Sequence, residues 1–250
     1  MLTLGIDSGS TTTKGALFDG TQVVRTAILP TSANPRESIL ALYHQLHSPE
    51  VTFTVSTGYG RDLLEEADQK VTEITCHARG AAYLNPATRV VVDIGGQDSK
   101  VILLDNGLNV VDFLMNDKCA AGTGRFIEVM MRILEEDLAS IDEFVVGKHP
   151  VNISSMCTVF AESEVVSLIA DNHSAADIVH GLNQSVAAKT AALASRAGAK
   201  GPYMMTGGVA RNRGVTEALE ARLGAPLWLP PEPDLCGALG AALFALDSIQ

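Results

Sequence analysis

Asp7 and Asp93 each close an apolar, β-rich run and open a Gly-rich turn, in DSGSTTTK (residues 7–14) and DIGGQDSK (residues 93–100). Such a turn between antiparallel strands exposes successive backbone N–H groups and makes a concavity for anions. Ser10, Thr11 and Thr12 add hydroxyl donors beside Gly9, while Gly95, Gly96, Gln97 and Ser99 shape the second turn. A carboxylate at each strand end suits a metal-bound water, and a hard Mg2+ that keeps most of its waters is the expected ion. These residue types describe a phosphate clamp with Asp7 and Asp93 as catalytic candidates. Lys14 either faces the clamp or packs its stem along the strand as a solvated residue.

The two turns belong to a duplication. Asp7 and Asp93 lie 86 residues apart, and the same offset pairs Gly9 with Gly95, Lys14 with Lys100 and Asp19 with Asp105. Ile6 falls above Val92 and Leu17 above Leu103. Each copy reads as strand, Gly-rich turn, strand, polar turn and strand; the second polar turn carries Asn106-Gly107, a strong hairpin signal. Helices follow. Asn34-Pro35-Arg36-Glu37 opens one to about His47, with a capping residue, a proline at the first helical position and a glutamate. Phe126, Ile127, Met130, Ile133 and Leu134 form an apolar stripe after Gly122-Thr123-Gly124. Another stripe, Ile178 to Leu193, is started by Ser174 with Asp177 and stopped by Gly198. A last helix, about Leu235–Leu246, is rich in small residues that permit close helix approach. The expected architecture is α/β with two related lobes. Residues 1–70 form the first, completed by the helix at 235–250, and residues 71–234 form the second.

Two further patterns bear on chemistry. The run Tyr203-Met204-Met205-Thr206-Gly207-Gly208 reads as a strand ending in a glycine pair, where a flat ring can lie against bare backbone. Arg211 and Asn212 then offer polar contacts at the ring edge. Cys119 precedes Gly122-Thr123-Gly124 and a helix, and Cys157 precedes a second helical run. A cysteine at a helix N-terminus sees partial positive charge that favours the thiolate. From spacing alone, buried inert thiols and metal ligands both remain open. Glu162 follows Cys157 closely and is either near a nucleotide or a helix-surface carboxylate. Asp98 and Glu162 are the candidates for orienting an attacking water.

Bulk composition narrows the classes. The chain has 250 residues, 46% hydrophobic and 19% charged, which suits a folded core and excludes a solvating chain. A net charge of −11 without a basic patch argues against nucleic acid as a partner. The N-terminus lacks a basic segment followed by an apolar run, and no stretch approaches the roughly 18 apolar residues of a membrane span. A cytoplasmic location is expected, where Cys76, Cys119, Cys157 and Cys236 would not be disulfide-linked.

The ordered set DSGSTTTK, DIGGQDSK, CAAGTGRF, SMCTVFAESEV and TGGVARN resembles the activator, or ATPase component, of the 2-hydroxyacyl-CoA dehydratases, and is similar to the ATPase subunits of benzoyl-CoA reductase. The resemblance runs from Leu4 to the last helix. It implies two RNase H-like lobes of the superfold shared by actin, Hsp70 and sugar kinases, with ATP in the cleft between them. By the same resemblance, the first two motifs grip the phosphates and TGGVARN lies at adenosine. It also implies that Cys119 and Cys157 from each of two subunits hold one [4Fe–4S] cluster on a homodimer axis, with Cys76 and Cys236 left as core thiols. The activity so implied is an ATPase that takes an electron from ferredoxin or flavodoxin and delivers it to a dehydratase-type partner. Two rivals remain at this stage: a small-molecule kinase of amino-sugar type, and an actin-like assembly module.

Overall fold

The structure, a computed structural model, describes residues 1–116, 120–144, 150–154 and 158–250. Its first apolar run becomes a meander of β1 (Leu2–Ser8), β2 (Thr12–Phe18) and β3 (Val23–Pro30). Helix α1 (Pro35–Leu46) then crosses over to β4 (Val51–Thr57), which runs parallel to β1. A short β5 (Gln69–Lys70) ends the sheet, in the order β3-β2-β1-β4-β5. In the antiparallel β1–β2 ladder Asp7 stands directly opposite Lys14. Leu4 and Ile6 on β1 are fully buried and pack with Leu17, Ile39, Leu42 and Leu46.

α1 begins at Pro35, but Asn34 does not cap it with its side chain. The Asn34 backbone carbonyl already accepts from the Glu37 N–H, so its side-chain amide donates to the Glu37 carboxylate at 2.9 Å instead. α2 (Glu73–Leu84) follows, capped by Thr72.

The repeat recurs as β6 (Val90–Ile94), β7 (Ser99–Leu104) and β8 (Val110–Asn116). After it come α3 (Gly124–Ile133), α4 (Thr158–Ala170) and α5 (Ala175–Arg196). β9 (Tyr203–Thr206), α6 (Arg213–Leu223), β10 (Leu227–Trp228) and α7 (Cys236–Asp247) complete the chain. The second sheet has the order β10-β9-β6-β7-β8. In its polar turn the left-handed residue is Leu108, at φ 64°, rather than Gly107. The turn spans Asp105 to Asn109, whose backbones pair at 3.0 Å, one residue longer than a two-residue hairpin allows. Ser174 caps α5 by accepting from the Asp177 N–H at 3.1 Å, and Gly198 lies just past its end.

By its contacts the chain divides into two units: Met1–Val91 with Ile102–Phe113 and Pro230–Gln250, and Val92–Val101 with Leu114–Leu229. Within the first, α7 lies on the sheet. The Thr3 hydroxyl donates to the Ala242 carbonyl at 2.9 Å, and Phe18 packs on Leu239, Ala242 and Leu243. A Cβ at Gly5 would strike the Ala238 carbonyl, so only glycine lets strand and helix approach this closely. α2 crosses α7 in the same manner, with Gly240 against the Cys76 carbonyl and Gly80 against the Cys236 carbonyl. Cys76 and Cys236 are buried thiols in this contact, not joined in a disulfide, and burial pushes the Cys76 thiol up to about 12. Among the described residues no helix is long and apolar enough to cross a membrane.

A methyl group at Gly240 must therefore push two helices apart. Gly240→Ala is expected to cost about 3 kcal/mol of stability by overpacking, read as a lower urea midpoint at an unchanged m-value.

Candidate functional site

In the first unit the site starts at the end of β1. The turn after Asp7 is closed by the Gly9 N–H donating to the Thr12 carbonyl at 3.1 Å. Thr31 on the next connection supports it, its hydroxyl donating to the Gly9 carbonyl at 2.9 Å. Ser10, Thr11 and Thr12 stay at least partly exposed at the rim. Asp7 itself is 5% exposed, and Lys14 Nζ lies 3.9 Å from its Oδ2. A strand lysine thus faces the buried carboxylate across the ladder rather than the solvent.

Sequence reasoning did not pick out three neighbours of Asp7. The loop Thr57-Gly58-Tyr59-Gly60 follows β4, and its Gly60 N–H donates to the Ser8 carbonyl at 3.0 Å. A Cβ on Gly58 would lie 2.5 Å from Asp7 Oδ1. On the other side, a Cβ on Gly237 would lie 2.8 Å from Asp7 Oδ2 and 2.9 Å from His77 Nε2. The glycine pair after a strand was a readable signal for the loop. His77 lies inside α2 and carried none, while Gly237, in the first turn of α7, was legible only as one of the small residues of the last helix.

In the second unit the same turn recurs at the same offset. The Gly95 N–H donates to the Asp98 carbonyl at 3.0 Å, matching the Gly9–Thr12 bond residue for residue. Lys100, 3% exposed, bridges Asp98 Oδ1 at 2.7 Å and Asp93 Oδ2 at 3.2 Å. The Thr206 hydroxyl at the end of β9 donates to Asp93 Oδ1 at 2.8 Å. Gly207, at φ 84°, follows at once, and a Cβ there would strike the Ile94 carbonyl. Asp98, a candidate for holding water, is therefore engaged by Lys100. Gln97 is exposed at the tip of the turn.

Two more motifs converge here. α3 begins against the turn, the Gly124 N–H donating to the Gly95 carbonyl at 2.9 Å and the Arg125 N–H to the Gly96 carbonyl at 2.8 Å. Two of the helix's otherwise unpaired terminal donors are satisfied by the Gly-rich turn itself. Gly122, at φ 95°, and buried Thr123 lead into this contact, with the Thr123 hydroxyl on the Ala120 carbonyl at 2.5 Å. Asn212 is 7% exposed and its side chain works internally. The amide oxygen caps α6 by accepting from the Val215 N–H at 3.1 Å, and the nitrogen donates to Asn183 at 2.9 Å. Gly208 is exposed beside it. Glu162 is exposed on α4, whereas Glu164 two residues on accepts from the Ser154 N–H and hydroxyl at 2.9 Å. Cys119 and Cys157 lie outside the described residues.

The model of the BadF/BadG/BcrA/BcrD ATPase family matches residues 4–245. The chain belongs to this family. The (R)-2-hydroxyglutaryl-CoA dehydratase activating ATPase of Acidaminococcus fermentans is 45% identical over 97% of this chain and 96% of its own. The solved activator of the 2-hydroxyisocaproyl-CoA dehydratase from Clostridium difficile, with bound ADPNP, superposes with a TM-score of 0.93 at 43% identity, covering 99% of this chain and 95% of that one. A ROK family glucokinase from Streptomyces griseus, solved with glucose and AMPPNP, shares the fold at a TM-score of 0.63 and 14% identity over 99% and 100% of the two chains. This places the BadF/BadG/BcrA/BcrD chain in the actin-like α/β superfold.

The buried Lys100 is what makes two carboxylates tolerable in the second turn. Lys100→Met removes the cation from both, and is expected to cost about 3–5 kcal/mol. Urea unfolding at pH 7 checks this. Adding Asp98→Asn to the same chain should return part of the loss, because the pair is coupled.

Proposed function

We propose that this chain is an ATP-hydrolysing activator that delivers a low-potential electron to a 2-hydroxyacyl-CoA dehydratase-type enzyme. The observation that carries the reading is the pair of hydrogen bonds from the start of α3 to the carbonyls of Gly95 and Gly96. They tie the segment that follows Cys119 directly to the turn expected to bind phosphate. A phosphate group drawn onto the turn's N–H groups shifts those carbonyls, and α3 moves with them. That is a two-state element biased by the terminal phosphate.

The site residues take these roles in the reading. Asp7 and Asp93 would each hold a metal-bound water, with Mg2+ the ion expected. Gly9, Ser10, Thr11, Thr12, Lys14, Gly95, Gly96 and Gln97 receive the phosphates. Gly207 and Gly208 lie against the adenosine, and Asn212 shapes that wall by capping α6 while Asn183 holds its amide. Glu162 keeps its place as a candidate for orienting water. The relative solved with bound ADPNP supports nucleotide binding by this chain.

Cys119 and Cys157 would supply two thiolates per chain, so that two chains provide the four that a [4Fe–4S] cluster takes. When bound, such a cluster supplies a one-electron donor, replenished by a ferredoxin or flavodoxin. The homodimer this requires is supported by α4, which follows Cys157 and exposes Val159, Phe160, Val166 and Ile169. A cytoplasmic setting suits thiolate ligands.

Strictly anaerobic preparation is expected to yield about four iron and four acid-labile sulfide per dimer, both lost in Cys119→Ala. The cluster-loaded chain should activate a 2-hydroxyacyl-CoA dehydratase only with ATP and a reductant. Absence of iron even after reconstitution, together with acceptor-dependent phosphoryl transfer, would point to a kinase instead.

A further inference from the structure

Asp7 Oδ2 is enclosed by groups from three elements. Lys14 approaches from β2 at 3.9 Å. Gly237, in the first turn of α7, leaves a gap that a single methyl would fill, and His77 Nε2 borders the same gap from α2. His77 is 5% exposed, so its imidazole is committed to the interior. Its position is over-determined. The Cys236 thiol meets the His77 carbonyl at 3.5 Å, and the contacts of Gly80 and Gly240 hold α2 tightly on α7 on either side.

We propose that His77 is a positioning residue for Asp7, donating its Nε2–H toward Oδ2 and fixing the carboxylate plane for a metal-bound water. The inference rests on the reading of Asp7 given above and adds a residue to it. The chemistry is that of an outer-shell donor. A carboxylate that rotates freely binds a water in several orientations, and a directional N–H leaves one. Lys14 supplies charge to the same oxygen, but its flexible ammonium supplies little direction. Thr206 performs the equivalent task on Asp93 with a hydroxyl, so each of the duplicated carboxylates receives one lysine and one further directional donor.

The test separates an N–H donor at that point from mere bulk. His77→Gln places an amide N–H near the Nε2 position, His77→Asn places it near Nδ1, and His77→Leu removes it. Steady-state ATP hydrolysis, its Mg2+ dependence and calorimetric ADP affinity are measured on each dimeric protein. His77→Leu is expected to lower kcat about 10- to 100-fold and raise the Mg2+ concentration for half activity, as loss of an outer-shell donor does. KM for ATP should change less than about threefold, and His77→Gln should recover most of the loss while His77→Asn does not. Unchanged kcat and Mg2+ dependence in His77→Leu would overturn the proposal, as would equal impairment in the Gln and Asn variants at native ADP affinity. Should the Leu variant fail to fold, the Gln–Asn contrast decides alone. A wild-type chain that binds ADP but hydrolyses no ATP would instead sink the ATPase reading. The Mg2+ dependence of ADP binding in the Gln and Asn variants then carries the test.

Discussion

A carboxylate buried at the end of a strand is tolerated only where opposite charge and hydrogen-bond donors meet it, since an uncompensated buried ion costs several kcal/mol. Asp7 and Asp93 both sit in that situation, and much of each unit is arranged around it. The antiparallel partner strand brings a lysine opposite. The Gly-rich turn that follows is closed by one backbone bond and keeps its remaining edge available. The next structural layer then has to come close without side chains in the way, hence Gly58 and Gly237 around one carboxylate and Gly207 beside the other.

The same need explains where function resides in a widely shared fold. A glucokinase at 14% identity has this architecture, so the architecture does not select an acceptor. In the present chain the second turn is wired to its surroundings. The carbonyls of Gly95 and Gly96 are consumed by α3, and the hydroxyl of Thr206 by Asp93. In this chain the turn is therefore continuous with two further segments of the unit, and it cannot rearrange alone.

The duplication was legible because it is written at a constant offset, and the structure repeats it down to the turn bonds Gly9–Thr12 and Gly95–Asp98. The cap of α5 and the strands of both meanders were legible for a related reason, being set by residues within a few positions of one another. Long-range partners were not. His77 borders the gap beside Asp7 from 70 residues away and Thr206 reaches Asp93 across 113, and nothing local marks either as special. Local signals also misled where a backbone group had already satisfied the donor, as at Asn34, or where the loop ran one residue long, as at Leu108. Asn212 reads as a ligand contact in sequence because capping and ligand binding call for the same amide.

α7 has a consequence for the order in which the molecule is built. Thr3 bonds Ala242 across 239 positions, so one face of β1 is covered by a segment synthesised long after it. During translation Thr3 and Gly5 on that face of β1 wait without their helix until residue 236 and beyond have emerged. The first sheet thus depends on a closure of 239 positions, the kind of contact that slows folding and prolongs exposure to aggregation.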